Sequence, residues 1–266
     1  MDRTAACGLI GNRDISGPVG DDERSFFLEV VDVLDIGYSG SDDFHVREFE
    51  YSFVESEPMI RLLHLEFPKG EAGKKRLREI RERRETVIAD ILSMAERNFG
   101  CRYDSDSCRK MLAFNVGNGA FPVQVGMECR TGGRPKVKVY LSVNADRFPV
   151  KAFCLSMGID GGRATRSLGD RPLDAVAVDF LPGGGISIKL YPLTAENKGL
   201  LMRISPDGAV LSRKSWARFP SGLDIGSVSK NGFFDVPLSL RADTERHALR
   251  VSYLCLENGK RSVYFR

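Results

Sequence analysis

The chain has 266 residues, a length within one larger domain, and its 42% hydrophobic content is enough for a sizeable core. Its 39 basic and 36 acidic residues leave a formal net charge of +3, which argues against a general nucleic-acid binder and still permits a local basic pocket for a small anion. No run approaches the roughly 18 apolar residues of a membrane span, and the opening MDRTAACGLIGNRD lacks the basic-then-apolar pattern of a signal peptide. A cytoplasmic protein with no membrane partner is expected. Six scattered cysteines with no CxxC pair, and only three histidines, argue against a zinc site or a disulfide framework and read as reduced core thiols.

Residues 1–20 carry no clear pattern and are expected to be a loose N-terminal segment. DDERSFFLEVVDVLDI, residues 21–36, has apolar residues at helical spacing. HVREFEYSF and MIRLLHLEF, joined by VESEP, read as a first strand pair. A long charged helix is predicted over 71–99, stopped by Gly100. Its run KKRLREIRERRE mixes both charge signs, which suits a solvated helix face better than an RNA contact.

VQVGMECR and KVKVYLSV, joined by TGGRP, make a second hairpin. A short helix is predicted over 147–157. DAVAVDFL and ISIKLYPL flank PGGG; GLLMRIS and VLSRKSWARF flank PDGA; LRVSYLCL and RSVYFR flank ENGK. Glycine-rich or Asn-Gly and Asp-Gly turns between alternating runs are hairpin signals. Five hairpin units in one 266-residue domain predict an α+β fold: a closed ten-stranded antiparallel barrel, which removes free sheet edges, with helices packed outside.

Alternation says which way the strands face. Val137, Val139 and Leu141 oppose Lys136, Lys138 and Tyr140; Ile186, Ile188 and Leu190 oppose Ser187, Lys189 and Tyr191. If the apolar faces pack outward on helices, the Lys/Tyr faces line a lumen, and ten strands leave a wider lumen than the filled interior of about eight. The Lys-x-Tyr pair thus recurs as Lys138/Tyr140 and Lys189/Tyr191. Lysine offers a point charge to phosphate oxygens, and tyrosine offers a π-face to a cation. The residues leave two readings open: ordinary exposed strand side chains, or a site for an allylic diphosphate, whose leaving group is anionic and whose carbon fragment becomes cationic. Asp179, mid-strand, reads either as support for a base or acceptor in the lumen or as a partner of a neighbouring lysine.

The ordered set from FEYSF through KAFCLSMGIDGG to DAVAVDFLPGGGISIKLY resembles the aromatic prenyltransferases of the ABBA, or PT-barrel, fold, over about residues 20–266. Within that fold it is most similar to the cyanobactin peptide prenyltransferases. The resemblance implies diphosphate binding by Arg61, Lys138 and Lys189. Where a basic residue often precedes the second lysine by two, this chain has Ser187, so Lys136 or Arg213 would have to compensate; the polar position of the fourth hairpin is matched by Lys214, a further diphosphate-binding candidate. It implies an allylic-cation shield of Tyr140, Tyr191, Trp216 and Tyr264, with Tyr253 as an alternative to the last. Glu50 matches the first-strand acid that serves as general base, with Glu48 on the same face as its competitor.

The implied activity is transfer of a dimethylallyl or geranyl group from its diphosphate to a side chain of a ribosomally made, cyclic peptide. The alternatives are a small aromatic acceptor, or a non-catalytic barrel that binds an anionic, lipid-like ligand. With no Asp-rich motif, Mg²⁺ is expected only as a companion of the diphosphate, without protein metal ligands. A monomer is expected.

Overall fold

The computed structural model describes residues 1–12, 19–35, 45–54, 59–68, 77–118, 121–130, 132–143, 148–168, 171–192, 198–204, 210–230, 238–257 and 259–266. Ten antiparallel strands form one curled sheet: β1 (His45–Val54), β2 (Met59–Pro68), β3 (Phe121–Arg130), β4 (Lys136–Ser142), β5 (Leu173–Leu181), β6 (Gly185–Pro192), β7 (Lys198–Ile204), β8 (Val210–Leu223), β9 (Val251–Glu257) and β10 (Lys260–Phe265). The pairing order is β1-β10-β9-β8-β7-β6-β5-β4-β3-β2, and β1 also pairs with β2, so the ladder returns to its starting strand. Helices surround the sheet: α1 (Arg3–Gly11), α2 (Asp21–Asp35), α3 (Leu77–Phe99), α4 (Ser105–Asn118), α5 (Val150–Ser156), α6 (Gly161–Leu168), α7 (Ile225–Lys230) and α8 (Leu238–Arg246). No described helix is long and apolar enough to cross a membrane.

Period-two alternation sorts the side chains into two layers. One large apolar cluster joins the outward faces of the strands (Ile60 and Leu62, Val125 and Met127, Val137 to Leu141 at alternate positions, Val176 to Phe180, Ile186 to Leu190) to Phe26, Phe27, Val30 and Val31 of α2 and Ile88 and Ile91 of α3. A second, small cluster of Leu63, Cys255 and Tyr264, with Tyr140, Trp216 and Tyr253 against it, belongs to the inward faces. The hydrophobic stabilisation of the fold is therefore concentrated between sheet and helices, which releases the inner face for polar chemistry. All six cysteines carry free thiols, five of them buried.

The N-terminal segment differs from its expectation. Residues 3–11 are helical, Asp2 caps them through the Ala5 N–H at 2.8 Å, and Ala5, Ala6, Leu9 and Ile10 are buried. Met1 is tied down too, its carbonyl accepting from the Phe49 N–H at 3.0 Å. The short helix expected over 147–157 is confined to Val150–Ser156 because Pro149 precedes it and Met157 and Gly158 close it. Residues 71–76, the start of the expected long helix, and the turns 55–58 and 205–209 lie outside the described residues.

Gly222, near the end of β8, has φ +70°, and a Cβ there would stand 2.5 Å from Arg250 Cβ. Left-handed backbone costs a non-glycine residue roughly 1–2 kcal/mol. Gly222→Ala is expected to lower stability by about 1–3 kcal/mol, read as a fall in the urea midpoint at unchanged slope.

Candidate active site

Each inward position follows from strand register. Arg61 lies opposite Glu128 in the β2–β3 pair, Glu128 opposite Lys136 and Gly126 opposite Lys138 in β3–β4, Lys138 opposite Asp179 in β4–β5, and Asp179 opposite Ser187 in β5–β6. The result is a continuous band of charge. Glu128 receives Arg61 Nε at 3.1 Å, Lys136 Nζ at 2.6 Å and Lys138 Nζ at 2.5 Å. Asp179 receives Lys189 Nζ at 2.5 Å and has Lys136 Nζ at 3.9 Å. Lys136 therefore links the two carboxylates, and Arg61, Lys136, Lys138 and Lys189 form one network. Among the described residues, four basic side chains face two carboxylates in this band.

Burial alone would suppress ionisation of both acids. The surrounding cations overcome it: Lys138, Arg61 and Lys136 hold Glu128 well below the usual carboxylate range, and Lys189, Lys138 and Lys136 hold Asp179 at about 2. Lys138 is pushed down by burial and by Lys136, Lys189 and Arg61, with Glu128 pulling the other way. Asp179 thus serves as a lysine partner. Ser187 leaves the place beside it without a cation, its hydroxyl 3.5 Å from Asp179, and Lys136 reaches the same carboxylate. Lys214 lies opposite Leu201 and Glu257 in the register, but its side chain and that of Arg213 lie outside the described residues.

Above this band the inner face turns aromatic. Tyr140 and Tyr191 have ring centroids 5.8 Å apart, Tyr191 and Trp216 5.5 Å, and Tyr253 stacks on Tyr264 at 3.9 Å. Tyr253 and Tyr264 therefore both belong to the wall. Arg61 Nη1 donates to the Tyr264 hydroxyl at 3.0 Å, which ties the aromatic layer to the cations below. Burial raises the phenols of Tyr191 and Tyr253, keeping them neutral.

On the far side of the aromatic layer lies a cavity of about 640 Å³, lined by Tyr140, Tyr191, Trp216, Tyr253 and Tyr264, and beyond them by Glu50, Gln124, Phe219, Arg250 and Arg266. Glu50 is fully buried. Its Oε2 accepts from Arg266 Nε and from the Ser252 hydroxyl, both at 2.9 Å, while Oε1 has no hydrogen-bond partner among the described residues. Burial pushes its carboxyl above the ordinary range, against the pull of Arg266, Ser252 and Tyr253. Glu48, half-exposed and 3.7 Å from Arg266 Nη1, does not line this cavity.

Three features were not read from the sequence: Glu128 as the hub of the cations, Arg266 and Ser252 as partners of Glu50, and the separation of the cation band from the cavity by the aromatic layer. The first had a signal, since in a hairpin joined by TGGRP Glu128 falls opposite Lys136. The others depend on contacts between the most distant strands.

Among the described residues no group of three or more His, Cys, Asp or Glu side chains could hold a metal ion. The two carboxylates nearest the cations are engaged by lysine and arginine, so the donor set does not suit protein-held Mg²⁺.

No protein-family model matches the sequence, and neither does any curated protein. Solved structures do match. The 5-dimethylallyltryptophan synthase of Streptomyces coelicolor is 14% identical, with TM-score 0.60 over 99% of this chain and 96% of its own. The prenyltransferase PriB in ternary complex with L-tryptophan and dimethylallyl thiolodiphosphate is 13% identical, with TM-score 0.66 over 98% and 95%. PriB in binary complex with product diphosphate is 12% identical, with TM-score 0.61 over 98% and 95%. At these identities the likeness is one of fold: an antiparallel ten-stranded sheet with helices outside it, matching the ABBA arrangement.

Proposed function

We propose that this chain is a prenyltransferase whose sheet works as a closed barrel, taking a dimethylallyl or geranyl diphosphate and an aromatic acceptor into one lumen. The observation that carries this reading is the order of the layers: a buried cation network, an aromatic collar, and a cavity that holds an ionisable carboxylate. Each layer suits one part of the reaction.

The diphosphate oxygens are placed at Arg61, Lys136, Lys138 and Lys189, with Lys214 a further candidate on the same face. The allylic chain threads the collar of Tyr140, Tyr191, Trp216 and Tyr264, joined by Tyr253. The acceptor ring sits in the cavity beside Glu50. The allylic C–O bond breaks, and diphosphate departs with the electron pair onto the cations. The aromatic faces stabilise the allylic cation by about 0.5–2 kcal/mol each and exclude the water that would quench it. The acceptor's electron pair forms the new bond, and Glu50 takes the proton. Mg²⁺, expected with the diphosphate, is a companion of the donor in this scheme.

A cavity of about 640 Å³ falls within the ~300–1,000 Å³ range of small-molecule sites, and PriB was crystallised with L-tryptophan. Both favour a small aromatic acceptor over the cyclic peptide that the cyanobactin resemblance suggests. The peptide reading keeps one support: Ser221 and Arg250 are exposed where they line the cavity, so a peptide lying outside could insert a single side chain. Mass spectrometry after incubation of dimethylallyl and geranyl diphosphate with free indoles, phenols, tryptophan and a panel of cyclic peptides tests both. Prenylated small acceptors support the first reading, and products only on peptides support the second. Donor binding without transfer to any of them would favour the non-catalytic binder.

A further inference from the structure

Glu128 has no place in the transfer scheme, yet it engages three cations at once on the inner face. It is almost fully buried, and its two oxygens hold Arg61, Lys136 and Lys138, which come from β2 and β4 on either side of it. Removing one member of a buried ion cluster leaves the others uncompensated. Here the others are three cations within a few ångströms of each other, and only one of them can readily shed a proton under that repulsion. Arg61 is a guanidinium that stays charged, and Lys136 is the more exposed of the two lysines, at 19% against 7%.

We propose that Glu128 is a positioning residue that opposes loss of the Lys138 proton before the donor arrives, so that the empty protein presents a more highly charged diphosphate site than it would without that carboxylate. This rests on the reading of the cation band as the donor site. The groups that face Lys138 are Glu128 from β3, Lys136 from its own strand, Arg61 from β2, Asp179 from β5 and Lys189 from β6. Asp179 is engaged by Lys189, so Glu128 is the carboxylate in direct contact with Lys138. Burial of Lys138 acts in the same direction as its three cationic neighbours. Without Glu128, burial and the three cationic neighbours favour the neutral amine, with Asp179 the one carboxylate left among the facing groups to oppose them, and a donor that needs the ammonium must then bring a proton with it. One proton taken up on binding weakens affinity about tenfold per pH unit above the amine's new pKa.

The test is calorimetric titration with dimethylallyl thiolodiphosphate between pH 7 and 10, in two buffers of different ionisation enthalpy. Wild type is expected to hold its affinity to a higher pH than Glu128→Gln, and to take up fewer protons on binding at any one pH. Glu128→Gln is expected to begin its loss of about tenfold in affinity per pH unit at a lower pH, with proton uptake nearer to one. The double variant Glu128→Gln/Lys138→Met is expected to be flat at the weaker limit. A merely structural role for Glu128 would weaken binding equally at every pH. A Glu128→Gln profile that falls at the same pH as wild type, or a slope that survives in the double variant, overturns the proposal. If Glu128→Gln does not fold by circular dichroism, Glu128→Asp carries the test: its withdrawn charge should move the fall in affinity to a lower pH than in wild type, and a profile identical to wild type overturns the proposal. Wild type that binds no analogue at any pH overturns the donor-site reading itself, and this proposal with it.

Discussion

Glu50→Gln is expected to lower kcat/KM for the acceptor by about 10²–10⁴-fold, the usual contribution of a positioned general base, with donor affinity unchanged. The glutamine keeps the shape of the side chain and can still accept from Ser252 and Arg266 through its carbonyl oxygen. What it loses is the ability to take a proton on the oxygen that has no partner among the described residues. Because burial raises the carboxyl of Glu50 above its ordinary value, the sign of the pH effect follows. The base works when ionised, so the wild-type rate should fall as pH drops through a pKa above the usual 4.5, and Glu50→Gln should lose this acid limb. Stability moves the opposite way. A carboxyl whose folded pKa is raised contributes its stability below the unfolded value and loses it as pH rises through the folded one. Wild-type transfer by Glu50→Gln on the true acceptor would refute the base role and leave the donor site standing.

Arg61→Ala should fall at the other end of the reaction, with kcat reduced about 10²–10³-fold, the loss typical of one preorganised group on a developing anion. The variant leaves Glu128 with Lys136 and Lys138, so the network is thinned without orphaning its carboxylate. It also removes the donor to the Tyr264 hydroxyl, which frees one wall of the collar. A second signature is therefore expected: more donor hydrolysed to the prenyl alcohol per transfer, since water gains access to the cation. Steady-state rates with product partitioning by chromatography read both. Unchanged kcat and unchanged partitioning would remove Arg61 from the donor site.

The strands were legible because alternation and glycine-rich turns are local signals. The turn Leu181 to Gly185, with Gly183 and Gly184 at φ +100° and +87°, is announced by its own glycines, although Gly183 N–H also donates to the Arg102 carbonyl. Lys138 and Tyr140, or Lys189 and Tyr191, fall on one face for the same reason. The helices α1, α4, α6, α7 and α8 are not read from the sequence, although an aspartate stands before the first four: Asp2, Asp104, Asp160 and Asp224, bonded to the N–H of Ala5, Ser107, Gly162 and Ser227. Such caps mark where a helix can start, but short helices such as GGRATRSL and IGSVSK offer too few turns for an apolar stripe to show. The relation of cavity to cation band was not legible at all. It depends on the stagger between strands, and bulges such as that between Arg218 and Leu223 on β8 shift it by residues that no single strand reveals.

The pairing of β1 with β10 has a kinetic consequence. Glu50 meets Arg266 across 216 residues of sequence and Ser252 across 202, and Tyr51 to Val54 pair with Phe265 to Ser262. Closing so long a loop costs entropy before any contact rewards it, so this pairing belongs late in folding. Hairpins such as β5–β6 can form early, and the cation band spans only β2 to β6. Anion binding should therefore return before the pocket around the carboxylate does. In a refolding time course, affinity for a diphosphate would precede turnover, with the lag set by docking of the final strand.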